Sequence, residues 1–191
     1  MTRRIALAAA GVLSLALLSG CQDAPEAQPD RAATDTNQTL AAAMSEAPGL
    51  SVTTGILRDA GLIEVFDGMG SYTILAPEDD AFGRLDEATR QTLSDPESRA
   101  LATAVLRNHI VPGYLSPEDI ANAIRSGNGE SVEMATVGDS TITFTLDGEE
   151  VTATLPDGES AVLSAVPTLA TNGVVVPVDH VMGAMPATGA E

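Results

Sequence analysis

Residues 141–155 read TITFTLDGEEVTATL, and they restrict the fold more than any other stretch of the chain. Ile142, Phe144 and Leu146 alternate with three threonines, Asp147-Gly148 breaks the run, and Val151, Ala153 and Leu155 resume the alternation. A period of two puts the apolar side chains on one face of a strand, and Asp-Gly between two such runs is a strong signal for a tight hairpin. A second Asp-Gly, at 157–158, extends the hairpin into a meander of antiparallel strands. Further strands are expected over 161–166 and 174–181, with Pro177 marking an edge or a bulge in the last.

The first half has a different period. Leu40, Ala43 and Met44 share a helical face ahead of Pro48-Gly49, and Ile56, Leu57, Ala60, Ile63 and Val65-Phe66 continue near that spacing until Gly68 and Gly70. A short buried strand is expected at Tyr72-Thr73-Ile74-Leu75-Ala76, stopped by Pro77. Glu78-Asp79-Asp80 then suits the first turn of a helix, where acids meet the positive end of the dipole, and no calcium-loop pattern comes after them. Asp95-Pro96-Glu97 reads as a helix start, with Leu101, Ala104, Val105 and Asn108 along one side of that helix. Ser116-Pro117-Glu118-Asp119 reads as a capping box opening a helix that carries Ile120, Ala123 and Ile124 and stops at Gly127. Helices first and strands later imply an α+β domain, with the helices of the first half packed on an antiparallel-rich sheet formed mainly by the second.

The amino terminus speaks to location. Arg3 and Arg4 precede an apolar stretch from Ile5 to Leu18 that is shorter than the roughly 20 residues of a spanning helix, as in a secretory signal peptide. Leu18-Ser19-Gly20-Cys21 resembles the lipobox of bacterial lipoproteins, and Cys21 is the only cysteine among 191 residues. The resemblance implies cleavage before Cys21 and its acylation, which would hold the chain on a bilayer at about 0.8 kcal/mol per buried methylene. Gln22, where inner-membrane lipoproteins typically carry Asp, favours the outer membrane. Residues 21–37 are expected to be an acidic disordered tether with a coil reach of roughly 20 Å. The globular domain is expected over 38–186, with a short tail at 187–191.

Charge and residue inventory narrow the function. Without residues 1–20 the chain keeps 7 basic and 27 acidic side chains, a net of 7 − 27 = −20, which repels nucleic acid and anionic lipid. There is no lysine, so Schiff-base and P-loop chemistry are excluded. The sequence has no Gly-x-Ser-x-Gly elbow and no His-Glu-x-x-His pair, and its Gly-x-Gly runs at 68–70 and 127–129 lack the third glycine of a dinucleotide loop. No catalytic, cofactor or metal residues are therefore assigned, and the chain is read as a non-enzyme without a cofactor. Weak cation binding to the acidic surface is an open alternative. His109, at the end of an apolar helix and before Ile110-Val111-Pro112-Gly113, is expected to bond backbone groups while excluded from water. His180 is expected at the surface.

Three segments taken in order resemble the fasciclin domain family. TILAPEDDAF at 73–82 is similar to its first signature, LRNHIVPG at 106–113 to its second, and ATNGVVVPVDHVM at 170–182 to its closing strand. The chain departs from the family at Asn108, commonly tyrosine, at Val176, commonly histidine, and at Pro177, commonly valine. The Tyr-His segment is linked to integrin binding in animal members, a property that Asn108 puts in doubt here, so Asn108 and His109 stand as candidate interaction or structural residues. The resemblance implies a wedge of helices and sheet used as an extracellular adhesion module, with no catalytic chemistry. The expectation is a lipid-anchored envelope module contacting an envelope or matrix protein or a polysaccharide. The alternative is a periplasmic lipoprotein that captures a small apolar ligand between helices and sheet.

Overall fold

The structure is a computed structural model, in which residues 34–183 are described, except Asn128 and Glu130. The expected signal peptide, Cys21 and the tail lie outside the described residues.

Among the described residues, seven α-helices and nine strands form an α+β fold with two sheets. The first sheet has five strands: β1 (Thr34–Asp35), β2 (Tyr72–Pro77), β3 (Ile110–Pro112), β8 (Thr168–Ala170) and β9 (Gly173–Val178), in the order β1-β8-β9-β2-β3. The second is the meander expected from the alternation, β4 (Ser131–Ala135), β5 (Thr141–Asp147), β6 (Glu150–Thr154) and β7 (Ser160–Val162), in sequence order. Its register opposes Phe144 to Ala153 and Leu146 to Val151 across the Asp147-Gly148 turn. Gly148 has φ +62°, the left-handed geometry that makes Asp-Gly a hairpin turn.

The helices α1 (Leu40–Glu46), α2 (Ser51–Asp59), α3 (Ile63–Phe66) and α6 (Arg99–Arg107) face one side of the first sheet. There Leu40, Met44, Leu57, Phe66 and Leu106 pack with Ile74, Ala76 and Val175. The opposite side carries Leu75, Val174 and Val176, which pack with Ile120 and Ile124 of α7 (Pro117–Ser126) and with Ile142, Phe144 and Val151 of the meander. Both faces of β2 and β9 are thus covered, which is why their sequences are continuous apolar runs while the meander alternates. A third cluster joins α4 (Asp79–Gly83), α5 (Glu87–Ser94) and α6 through Phe82, Leu93, Ala102 and Val105.

Several sequence expectations change. Pro177 lies in a central strand, not at an edge. Tyr72 donates to the Asn172 carbonyl and Glu78 to the Val178 carbonyl, so even-numbered residues of β9 face β2. Pro177 therefore turns its ring nitrogen the other way, past the end of β8, where no ladder donor is required. The strand expected over 161–166 stops at Val162, and Leu163 makes a single bridge to Val178. The buried side of α6 is Ala102, Val105 and Leu106 rather than Leu101, Ala104, Val105 and Asn108. A 3₁₀ turn (Pro96–Ser98), capped by Asp95, precedes the helix, and His109 just beyond its end is buried. Helix α5 was not expected, because Leu93 is its only large apolar side chain. Residues 34–37 also leave the expected tether. Thr34–Asp35 pair with Thr168–Leu169, and Thr36 donates its amide and hydroxyl to the Leu169 carbonyl.

Candidate functional site

The three signature segments meet in space. The first supplies β2, the second α6 and β3, and the third β9, so β2 lies between the other two. His109 stands at the turn from α6 into β3, and its own carbonyl accepts from the Leu75 amide at 2.8 Å.

The His109 side chain is 1% exposed. Its Nδ1 lies 3.0 Å from the Val105 carbonyl, one turn back along α6, and its Nε2 accepts from the Met182 amide at 3.0 Å. A carbonyl can only accept and an amide can only donate, so Nδ1 carries the proton and Nε2 is bare. The ring is neutral, and burial pushes its pKa down to about 4, with the Val105 bond offsetting part of that effect. Both nitrogens are occupied by backbone groups, which leaves no free imidazole for proton transfer or metal binding. His109 fastens the segment after β9 to the end of α6, as its place before Ile110-Val111-Pro112-Gly113 suggested.

Asn108 is half-buried, and its Oδ1 is enclosed without a hydrogen-bond partner. The amide rests against the β4–β5 turn. A Cβ at Gly138 would come within 2.1 Å of Oδ1 and 2.8 Å of the Asn108 backbone nitrogen, so this turn accommodates only glycine. Asn108 is thus turned inward at its carbonyl oxygen.

Two further anchors, Asn172 and Thr73, lie within the signature segments, but their roles were not assigned from the sequence. The Asn172 Oδ1 accepts from the Leu40 amide at the start of α1 at 2.7 Å, and its Nδ2 donates to the carbonyls of Phe66 and Gly68 at 2.9 and 2.7 Å. One side chain thereby closes the start of one helix and the end of another. Gly173 beside it is required by space, since a Cβ there would lie 2.2 Å from the Tyr72 carbonyl oxygen. The Thr73 hydroxyl lies 3.0 and 3.2 Å from the carbonyls of Gly113 and Leu115 and accepts from the Leu115 amide at 2.9 Å. It holds the turn just beyond Ile110-Val111-Pro112.

The acids at 78–80 are a helix start, as expected, but Asp79 also serves a neighbouring helix. It accepts from the Ser51 hydroxyl at 2.6 Å and the Val52 amide at 2.8 Å, closing the start of α2. Burial pushes its carboxyl up, yet these bonds outweigh that and hold it below the ordinary value. Asp179 accepts from the Val162 amide at 2.7 Å and lies 3.0 Å from Nδ1 of the surface residue His180. Among the described residues no three His, Cys, Asp or Glu side chains gather as a metal site. No described helix is long and apolar enough to cross a membrane.

An open trough of about 780 Å³ lies between α7 and the meander. Its wall includes Ala121, Val151 and Leu163 together with Glu118, Glu149 and Glu150.

The junction of β2, β3 and β9 is held at one side by a buried histidine whose two ring nitrogens both bond backbone groups. The Fasciclin domain profile matches residues 48–185, and the chain belongs to that family. Among its relatives, protein sll1483 of Synechocystis sp. is 28% identical over 152 residues, covering 80% of this chain and 77% of that one. Transforming growth factor-beta-induced protein ig-h3 of Sus scrofa is 29% identical over 126 residues, 64% of this chain but 16% of its own length. Immunogenic protein MPB70 of Mycobacterium bovis is 30% identical over 106 residues, 53% of each chain. The fasciclin domain pair of the insect cell adhesion molecule Fasciclin I superposes with a TM-score of 0.66 at 12% identity, over 76% of this chain and 50% of that one. That likeness shows the fold alone.

Proposed function

We propose that the chain is a lipid-anchored, non-catalytic adhesion or interaction module of the bacterial cell envelope, held by acylated Cys21, with the outer membrane favoured by Gln22. The observation that carries the reading is His109. The family's histidine, the residue best suited to chemistry near neutral pH, has both ring nitrogens committed to backbone groups. What the molecule offers its surroundings is therefore surface, in keeping with its similarity to Fasciclin I, which is named a cell adhesion molecule. The partner class is an envelope or matrix protein or a polysaccharide, and the strong negative charge disfavours nucleic acid.

A deletion strain compared with wild type tests the function: reduced aggregation or biofilm is expected, and unchanged adhesion together with a small molecule that co-purifies with the chain would favour a ligand carrier. The trough between α7 and the meander is the observation that would support such a carrier. The anchor is tested separately. Cys21→Ala is expected to move the protein out of the membrane fraction, and continued retention would overturn the lipid attachment.

A further inference from the structure

The trough has an apolar floor and a carboxylate rim. Ala121, Val151 and Leu163 are buried at its base, Glu118 comes from the first turn of α7, Glu149 from the β5–β6 turn and Glu150 from the start of β6. A second depression of about 300 Å³ shares Glu150, Leu163 and Ser164 with the first and adds Glu78 and Asp179. The two adjoin along that shared wall as a channel bordered by five carboxylates, of which Asp179 is already paired with Arg84 at 3.9 Å.

Arg125 is the cation among these lining residues, and it donates to Asn122 of its own helix at 3.2 Å. The sequence supplies no other cation nearby from the meander: residues 126–191 contain ten acids and neither lysine nor arginine. Like charges gathered round a low-dielectric floor repel one another more than they would in open water, and a cationic occupant relieves that repulsion.

We propose that this channel binds an extended peptide segment of another protein that alternates basic and apolar side chains. In a strand, alternate side chains point to opposite faces, so one set meets Pro117, Ala165 and Val166, the apolar lining residues that are still partly exposed above the floor. Long basic side chains on the other set can lay their methylenes over the channel walls and bring their charges to the rim. A polyamine would match the carboxylates but leave the floor wet, and a neutral polysaccharide would leave the carboxylates without counter-charges. The recognition mode is an extended segment laid beside a sheet, with charge giving orientation. The proposal rests on the reading of the chain as an interaction module, but its test reads binding directly and is independent of any adhesion phenotype.

The probe is a fluorescein-labelled nonapeptide alternating lysine and valine, titrated by fluorescence polarisation with the full-length chain in nonionic detergent. The glutamate–valine peptide, spermine and a soluble neutral glucan serve as competitors. Replacing Glu118, Glu149 and Glu150 together by Gln is expected to weaken binding at least about tenfold. The same charge change made at the exposed residues Asp59, Glu64 and Glu133, outside the channel, is expected to weaken it less than about twofold. Ala165→Trp fills the channel from an exposed position without touching a charge, and it is expected to abolish binding while circular dichroism stays unchanged. Equal losses from the two triple substitutions would reduce the attraction to bulk charge and overturn the proposal. So would full binding by Ala165→Trp, or displacement of the peptide by spermine or the glucan as readily as by unlabelled peptide.

Discussion

Protonating His109 should loosen the domain, in a pH window that belongs to this residue alone among the buried described groups. In the folded protein the ring must stay neutral, because Nε2 accepts from Met182 and a protonated nitrogen would face that amide donor to donor. Unfolded, the imidazole titrates near 6.5, whereas folded it titrates at about 4. The unfolded chain thus binds the proton first as pH falls. The stability linked to His109 is complete above about pH 6.5, declines as pH drops, and is fully lost below about 4. At pH 4.5 the lost stability is about 2 to 3 kcal/mol, at roughly 1.4 kcal/mol for each pH unit between the two titrations and with allowance for partial protonation of the folded state. The carboxyls held low by their hydrogen bonds, those of Asp79, Asp86, Glu87 and Asp179, have ordinary values of 3.8 to 4.5, so the stability linked to them begins to fall only at the acid end of this window. The assay is urea unfolding of the chain from Gln22 onward, monitored by circular dichroism at half-unit steps from pH 7.5 to 4.5. Wild type should lose stability across that range, whereas His109→Gln, which offers Met182 an acceptor that does not titrate, should be less stable at pH 7.5 and nearly flat. An identical slope in wild type and His109→Gln would refute the reasoning, because the lost stability would then come from other groups.

Three further substitutions probe the scaffold. His109→Ala should cost about 1 to 3 kcal/mol at neutral pH by leaving the Met182 amide and Val105 carbonyl unpaired, read from the urea midpoint. Asn172→Ala removes one acceptor and two donors shared by α1 and α3, and should cost about 2 to 4 kcal/mol, with hydrogen exchange accelerated at Leu40 before the meander is affected. Asp79→Ala uncaps α2 and should lower stability by about 1 kcal/mol, whereas Asp80→Ala, at the neighbouring acid outside that cap, should leave the melting temperature within about a degree.

The sequence was most legible where a residue pattern answers to a single burial geometry. The alternation on either side of Asp147-Gly148 allowed only one face to be buried, and the meander has the register that alternation demands. The capping box at Ser116 is present with both of its bonds, since it depends on neighbours three residues apart. The role of His109 was legible in outline, as a buried residue bonded to backbone, but not Met182, which lies 73 positions away. Helix α6 shows where the pattern was ambiguous: the faces through Leu101 and through Ala102 both repeat at helical spacing, and tertiary contacts chose the second. Pro177 misled because a proline is kept out of a central strand only where its nitrogen would have to donate to a neighbour, and that depends on register, which is not local information. Asn172 and Gly173 were visible as a motif, but their roles were hidden because their partners lie more than a hundred positions away in sequence.

The parallel pairing of β2 with β9 also bears on how the domain forms. It joins Tyr72 to Gly173, a separation of 173 − 72 = 101 positions, and it lies at the middle of the first sheet. A growing chain can complete α1 to α6 and the β2–β3 pair while the other edge of β2 has no partner. Closure must wait until the last described strand has emerged, and such distant pairings are slow because a long loop is ordered before contacts reward it. Nascent chains that stop short of Gly173 should therefore remain protease-sensitive throughout, including in the helical half, because Val175 supplies part of the floor on which those helices rest.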